Sequence, residues 1–151
     1  MKKRNGFTLV ELLAVIVILA IILVIAVPSI MNTIKDARIA SYESTAKMVA
    51  SAAETQYMVA LTLDKVVTGD YPETPDATKF YTGSSTKLAT CGTWANLDSN
   101  EYGACTYYID TDTKTAHVWI AAKADSAKFK NCKVDDATKS SANATDGNCA
   151  A

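Results

Sequence analysis

The chain has 151 residues, 49% of them hydrophobic, and its 15 Lys and Arg against 16 Asp and Glu give a formal net charge of −1. This length accommodates one ordinary domain and excludes a large second one. Because no basic stripe or patch stands out, the charge pattern gives no footprint for nucleic acid, and no specific nucleic-acid partner is expected.

The amino terminus has the parts of an export signal in an unusual order. The basic residues Lys2, Lys3 and Arg4 are followed by a small residue, Gly6, and then by residues 7–27, FTLVELLAVIVILAIILVIAV. A secretory signal peptide has its small-residue cleavage site after the apolar segment, not before it. Ordinary signal peptidase cleavage is therefore not predicted.

Residues 7–27 are long enough to cross a bilayer. As a helix they span roughly 31 Å at about 1.5 Å per residue, and the hydrocarbon core is about 30 Å thick. The positive-inside rule places Lys2, Lys3 and Arg4 in the cytoplasm and the carboxy-terminal region outside. The sequence therefore predicts a single-pass membrane anchor with an extracytoplasmic head.

Glu11 is the single ionisable side chain in residues 7–27. A carboxylate inside a membrane helix costs about 2.5–3.5 kcal/mol on insertion scales, so such a residue is a functional hypothesis by default. Snorkelling toward the nearby cytoplasmic interface is the alternative explanation for this residue taken alone. The residues around Glu11 favour the functional explanation.

The contiguous string from Gly6 to Leu12, GFTLVEL, resembles the class III signal of type IV pilins and pseudopilins. In that family a prepilin peptidase cuts after the glycine and methylates the new terminal amine. The resemblance implies that residues 1–6 are a removed leader, that the cut lies between Gly6 and Phe7, and that Phe7 is N-methylated. It covers the amino-terminal segment closely, as far as Pro28, and the rest of the chain only in general layout.

The same resemblance implies assembly roles for Glu11 and Pro28. Glu11 is the fifth residue counted from Phe7, the position of the family's glutamate, and Pro28 stands where the family has a helix-bending proline. Cleavage creates a cation at Phe7 inside the bilayer, and a glutamate of a neighbouring subunit can neutralise it and fix the axial register. Pro28 is expected to kink the helix or permit local unwinding. Many relatives have glycine where this chain has Ala20, which leaves the extent of unwinding open.

A second helical pattern follows the membrane segment. From about residue 29 to residue 62, apolar side chains recur mostly every three to four residues, which is typical of an amphipathic helix. We expect it to continue the helix of residues 7–28, the transmembrane and filament-core part, and to pack against the carboxy-terminal region from residue 35 onward. The spacing drifts from a strict heptad, which disfavours a coiled coil. The recurring residues are Ile30, Ile34, Ala37, Tyr42, Ala46, Val49, Ala53, Tyr57 and Ala60.

The remaining residues predict a small, loop-rich head. Residues 65–101 contain turn formers and little periodicity, which indicates a loop region. Tyr102–Asp110 and Thr115–Ala122 are strand candidates, and the second alternates apolar and polar side chains, so one face is expected to pack on the helix. Residues 131–151 are polar and are expected to form a loop. The predicted fold is α+β and type IV pilin-like: a long amino-terminal helix packed on a small antiparallel sheet with disulfide-bonded loops, with residues 29–151 as amphipathic helix and globular head.

All four cysteines lie in the head, at Cys91, Cys105, Cys132 and Cys149. An even number in a small extracytoplasmic region is typical of two disulfides, and the spacings match no short metal-binding pattern. Three pairings are possible. We favour Cys91–Cys105 with Cys132–Cys149, because each closes a short local loop; free thiols or an unrecognised metal site are the alternatives.

No catalytic constellation is recognisable, so the chain is not expected to be an enzyme or to hold a cofactor or metal. His117 is the only histidine, which excludes multi-histidine metal sites. Asp110-Thr111-Asp112 suggests a calcium loop, but the glycine and terminal glutamate of an EF-hand loop are missing.

These observations favour a structural function. By resemblance, the chain is expected to be the major pilin of a type IV pilus, a homo-oligomeric helical filament that is built from subunits in the membrane and displayed outside the cell. The partners so implied are prepilin peptidase, a platform protein, an assembly ATPase and other pilins. The alternatives are a pseudopilin or minor pilin of a type II secretion or DNA-uptake system, and a membrane-anchored binding domain that never polymerises.

Overall fold

The computed structural model describes residues 8–144 and 149. They fall into two compact units, the first ending at Asp36 and the second beginning at Ala37. The elements in chain order are helix α1 (Leu9–Thr62), strands β1 (Val66–Val67), β2 (Phe80–Tyr81) and β3 (Ala89–Thr90), a 3-10 helix (Thr93–Ala95), and strands β4 (Tyr102–Asp110), β5 (Thr115–Ala122) and β6 (Lys133–Ala137).

A left-handed residue closes the carboxyl end of α1. Asp64 has a φ of 54°, and Asp is one of the few residue types besides glycine that tolerate this conformation. The Asp64 N–H donates to the carbonyl of Leu61 at 3.3 Å, and the Lys65 N–H donates to that of Ala60 at 3.0 Å. These two bonds satisfy carbonyls that a helix end leaves unpaired. The helix therefore stops at Thr62, as predicted.

Four strands form an antiparallel sheet in the order β3-β4-β5-β6. The central pair is β4 with β5, and its register runs from Asp110 opposite Thr115 to Tyr102 opposite Ala122, with one shift next to Tyr102. Both strands have the bounds that their sequence pattern predicts. The sheet thus grows from one local hairpin, with a short strand added at each edge.

The second unit is a helix layer packed on one face of this sheet. Alternation in β5 buries Ala116, Val118 and Ile120, none of them more than 1% exposed, as predicted. They join the buried face of α1, which consists of Tyr42, Ala46, Val49, Ala50, Ala53, Tyr57 and Ala60. Ile30 and Ile34, which the pattern placed on the same stripe, are 55% and 41% exposed. Both lie before residue 35, where packing was expected to begin, whereas the first buried residue of α1 is Tyr42, so the packed part starts later than predicted.

Two helix carboxylates also fasten α1 to the rest of the second unit. Glu54 accepts a hydrogen bond from the backbone N–H of Ala116 at 3.3 Å and pairs with Lys139 at 2.9 Å. Glu43 accepts a hydrogen bond from the N–H of Ala144 at 2.9 Å. Positions that look solvated in the sequence thus satisfy backbone donors of the head.

The polar carboxy-terminal segment is not wholly the loop that was predicted, because Lys133–Ala137 forms β6 at the sheet edge beside β5. Val134 and Ala137 are fully buried, three positions apart rather than two. Asp136 between them has a φ of 54°, and the β5–β6 register shifts in this region. Such an irregularity breaks the period-two alternation by which a strand is recognised.

Short strands also interrupt residues 65–101, which were predicted to be a loop. β1 and β2 pair in parallel, with Val66 opposite Phe80, and β3 pairs with β4 through Ala89 opposite Tyr107. Each of these strands has two residues. A strand of that length leaves no alternation to detect in the sequence.

Two disulfides join Cys91 to Cys105 and Cys132 to Cys149, the pairing that loop length favoured. The first links the end of β3 to β4, and the second joins Cys149 to the residue before β6. No free cysteine occurs in the part of the chain that the structure describes. The fold is the predicted α+β arrangement of a long apolar helix, a small antiparallel sheet and two disulfides.

Candidate assembly site at the amino terminus

Thr8 and Glu11 form a reciprocal pair at the start of α1. The Thr8 N–H and hydroxyl both donate to Oε2 of Glu11 at 2.9 Å, and the Glu11 N–H donates to the Thr8 hydroxyl oxygen at 3.3 Å. This is a capping box, with threonine before the first helical residue and glutamate three positions later. The helix therefore starts where two of its free N–H groups find acceptors.

Thr8 is a site residue that sequence prediction missed, although its signal, the spacing Thr8-x-x-Glu11, is present. The cap uses one oxygen of the Glu11 carboxylate. Among the residues that the structure describes, none donates to the other oxygen, Oε1. The capping box thus orients the carboxylate and leaves one oxygen open to an external cation.

Glu11 lies in a segment whose apolar side chains are exposed. The large hydrophobic residues from Leu9 to Ile34 have exposed fractions between 41% and 79%, and Glu11 is the only ionisable residue in 8–34. Of the part of the chain described, α1 is the one helix long and apolar enough to cross a membrane. A contiguous apolar surface of this size requires lipid or a protein partner.

The other predicted residues are not gathered around Glu11. Pro28 lies inside α1, roughly 25 Å along the helix from Glu11 at about 1.5 Å per residue, and α1 is continuous through it. Local unwinding at Pro28 therefore stays an expectation for the assembled state. Gly6 and Phe7, the predicted cleavage and methylation residues, lie outside the described residues. The four cysteines belong to the second unit.

The acidic residues suspected of binding calcium have a structural role in the turn after β4. The Asp110 carboxylate accepts hydrogen bonds from the N–H groups of Asp112 at 2.9 Å and Thr113 at 3.3 Å, and these bonds hold the pKa of Asp110 below its usual value. The Nδ1 atom of His117 lies 2.5 Å from the carboxylate of Asp136. Within residues 8–144 and 149, no three or more His, Cys, Asp or Glu side chains group to hold a metal.

Comparison with known proteins gives one match, at the amino terminus. Residues 1–27 match the family described as the prokaryotic N-terminal methylation motif. Neither the curated proteins nor the solved structures gave a match. The matched segment contains the basic residues, Gly6, Phe7, Glu11 and the apolar helix as far as Val27, so the motif and the candidate assembly site coincide.

Proposed function

Residues 1–27 are the class III signal peptide of type IV pilins and pseudopilins, and from this premise we propose that the chain is the major structural subunit of a type IV pilus. The motif itself supports a pilin-like or pseudopilin protein that is processed by prepilin peptidase and assembles with other pilins. Our proposal adds that the filament is a type IV pilus and that this chain is its most abundant subunit.

The observation that supports polymerisation most directly is the exposed apolar surface of α1 with one carboxylate in its first turn. A simple anchor needs the apolar surface but not the carboxylate, which costs about 2.5–3.5 kcal/mol at a membrane-helix centre. A filament core uses both. Apolar faces pack against neighbouring helices, and Glu11 receives a cation from an adjacent subunit.

The proposed cation is the amine that cleavage after Gly6 creates on Phe7. In water an α-amino group is mostly charged at neutral pH. Inside a bilayer the amine and Glu11 each carry a desolvation penalty, which their mutual contact offsets. The capping box occupies Oε2 of Glu11, and Oε1 is available to the neighbour's amine. Because a shift along the axis would separate the two charges, the pair sets the register between subunits.

The second unit suits the outside of such a filament. Its two disulfides are typical of a protein region exposed to an oxidising, extracytoplasmic environment. The subunit first sits in the cytoplasmic membrane with this unit outside, and is then carried into a surface pilus. A platform protein and an assembly ATPase drive that transfer, and the role of the chain is structural, without a catalytic or cofactor-binding function.

Surface filaments test this proposal. Filaments are sheared from cells, separated from membranes by sedimentation, and analysed for protein composition. A major pilin is the dominant protein of that fraction and is missing from it in a strain that lacks prepilin peptidase. If the chain stays in the cell envelope while secretion or DNA uptake depends on it, the proposal is wrong and the chain is a pseudopilin or minor pilin.

A further inference from the structure

The second unit contains an open cavity of about 490 Å³, lined by the carboxyl end of α1, the loop before β2 and the 3-10 helix. Cavities of this size are typical of small-ligand sites. We propose that it binds a sugar residue that carries a carboxylate, such as a uronic acid unit of an acidic polysaccharide. This binding requires only the folded second unit and does not depend on polymerisation.

Aromatic side chains form the cavity wall in two edge-to-face pairs. Trp94 meets Tyr107 with ring centroids 5.2 Å apart, and Tyr71 meets Tyr81 at 5.5 Å. Trp94 and Tyr71 are half-buried, so each has ring surface accessible from the cavity. The C–H face of a pyranose packs on the electron-rich face of such a ring. Phe80 extends the aromatic wall beside the first pair, with its ring centroid 6.4 Å from that of Trp94 and 5.7 Å from that of Tyr107.

The charged residues that line this cavity are two lysines and one aspartate, Lys65, Lys79 and Asp76. Lys65 and Lys79 are exposed residues of the cavity lining, and neither forms a salt bridge with a described residue. The amide of Gln56 and the indole N–H of Trp94 also make no hydrogen bond to any described residue. The Asp76 carboxylate is engaged by its own loop, where it accepts bonds from the N–H and hydroxyl of Thr78. These bonds, and to a smaller extent the charge of Lys79, hold the pKa of Asp76 below its usual value. The unused groups therefore fit a ligand with several acceptor oxygens and a negative charge.

Hydrogen bonds hold the aromatic wall in place before a ligand arrives. The Tyr107 hydroxyl donates to the carbonyl of Tyr81 at 2.8 Å, and the Asp76 N–H donates to the Tyr81 hydroxyl at 2.9 Å. Next to Trp94, a Cβ atom on Gly92 would lie 2.9 Å from the indole ring. The absence of a side chain at Gly92 therefore lets Trp94 lie against the backbone. A preformed wall reduces the ordering that binding requires.

The same features fit a sugar better than a nucleic acid. Proteins that bind single-stranded nucleic acid use a basic groove along the backbone and several stacking surfaces. This cavity has two lysines at one compact site, on a chain whose net charge is −1. One acidic sugar unit matches that extent of charge and aromatic surface.

The fluorescence of Trp94 provides the test. The chain has two tryptophans, Trp94 and Trp119, so full-length Trp119→Phe protein in detergent micelles reports on Trp94 alone. It is titrated with methyl glucuronide, with the uncharged methyl glucoside, and with a thymidine oligonucleotide. We expect a saturable response to both sugars, with at least about tenfold tighter binding of the glucuronide, the size of one charge-assisted hydrogen bond.

Lysine variants separate binding from folding. Lys65→Met with Lys79→Met is expected to remove the preference for glucuronide while the glucoside still binds. The matched control is Lys87→Met with Lys130→Met, which changes two exposed lysines away from the cavity and is expected to retain the preference. Thermal unfolding followed by circular dichroism checks that all variants are folded.

Three results would overturn the proposal. The first is no saturable response to sugar, or equal binding of the charged and neutral sugars. The second is an oligonucleotide response that disappears in the Lys65→Met, Lys79→Met protein while sugars give none, which assigns the cavity to nucleic acid. The third is Trp94 emission that changes with protein concentration and not with sugar, which assigns it to a second copy of the chain. Because the subunit is unassembled here, none of these results bears on the proposed pilus.

Discussion

Residues 9–36 and 37–62 belong to one helix, but their apolar side chains differ in exposure. In the first part, large hydrophobic residues are exposed on every side, and the only charge before Lys35 is Glu11. In the second part, buried residues return every three or four positions, from Tyr42 to Ala60, and pack on the sheet. A helix that is apolar all round must be covered by lipid or other helices, whereas an amphipathic one is covered by its own domain. One continuous helix therefore has a surface for assembly and a surface for folding.

The largest expected effect comes from removing the charge of Glu11 in the assembly part. Glu11→Gln can keep the capping box with Thr8 but cannot neutralise the amine of a neighbouring subunit. An uncompensated buried charge costs on the order of 3–5 kcal/mol. We therefore expect the yield of sheared filaments to fall at least about tenfold, with an unchanged amount of subunit in the membrane.

The matched control for Glu11→Gln is Glu73→Gln, which changes an exposed glutamate of the second unit and should leave filament yield unchanged. Normal filaments in the Glu11→Gln strain would limit the role of Glu11 to helix capping. The two parts of α1 would then differ in the exposure of their apolar side chains, but not in an electrostatic role in assembly.

A pair of isoleucine substitutions compares the two parts in terms of stability. Ile120, which packs with the second part of α1, is 1% exposed, whereas Ile22 in the first part is 55% exposed. Ile120→Ala should lower the free energy of unfolding of the second unit by about 2–5 kcal/mol, because it removes buried methyl groups and leaves a cavity. Ile22→Ala should change that free energy by less than about 0.5 kcal/mol.

The measurement for this pair is denaturant unfolding of the full-length chain in micelles, followed by near-ultraviolet circular dichroism. Equal destabilisation by the two variants would mean that the first part of α1 is also part of the folded core.

Removing either disulfide should destabilise the second unit alone. The sequence separations are 14 for Cys91–Cys105 and 17 for Cys132–Cys149, and closing a loop of about 15 residues stabilises a fold by about 3 kcal/mol in the loop-entropy model. We expect similar losses for the two double Cys→Ser variants, measured by thermal unfolding, and no change in membrane insertion. A loss for one pair far below the other would show that loop length does not set their contributions.

The smallest effect concerns the ion pair between Glu54 and Lys139. Lys139 is 63% exposed, so solvent screens the pair, and its coupling free energy in a double-mutant cycle should be below about 1 kcal/mol. Glu54→Gln retains an acceptor for the N–H of Ala116, whereas Glu54→Ala leaves that donor unpaired at a cost of about 1–3 kcal/mol. Equal unfolding free energies for the Gln and Ala variants would contradict the role of Glu54 as a backbone acceptor.

The elements with strong local periodicity could be predicted from the sequence with the correct bounds. The end of α1 at Thr62 follows from apolar spacing of three to four residues, and β5 follows from alternation with a spacing of two. The limits of its partner β4 were also predicted correctly. By contrast, β6 was missed because Asp136 with positive φ places its buried residues, Val134 and Ala137, out of alternation. Its place at the sheet edge depends on pairing with β5, a contact that local pattern does not encode.

The functional residues likewise differ in whether the sequence alone reveals them. Gly6, Phe7 and Glu11 are recognisable because they form a contiguous motif, and Thr8 could have been found from its spacing to Glu11. The aromatic cavity could not, because Tyr71, Trp94 and its other wall residues are separated along the chain and meet only after the second unit folds.

Mass spectrometry of the mature amino terminus is the most direct test that this chain is cut after Gly6 and assembles through the helix that follows. The chain is purified from a strain with active prepilin peptidase, and its first residue and any methyl group are determined. We expect a chain that begins with N-methylated Phe7 and lacks residues 1–6. A chain that begins at unmethylated Met1, or one cut beyond the apolar helix, would contradict both the processing and the assembly that follows from it.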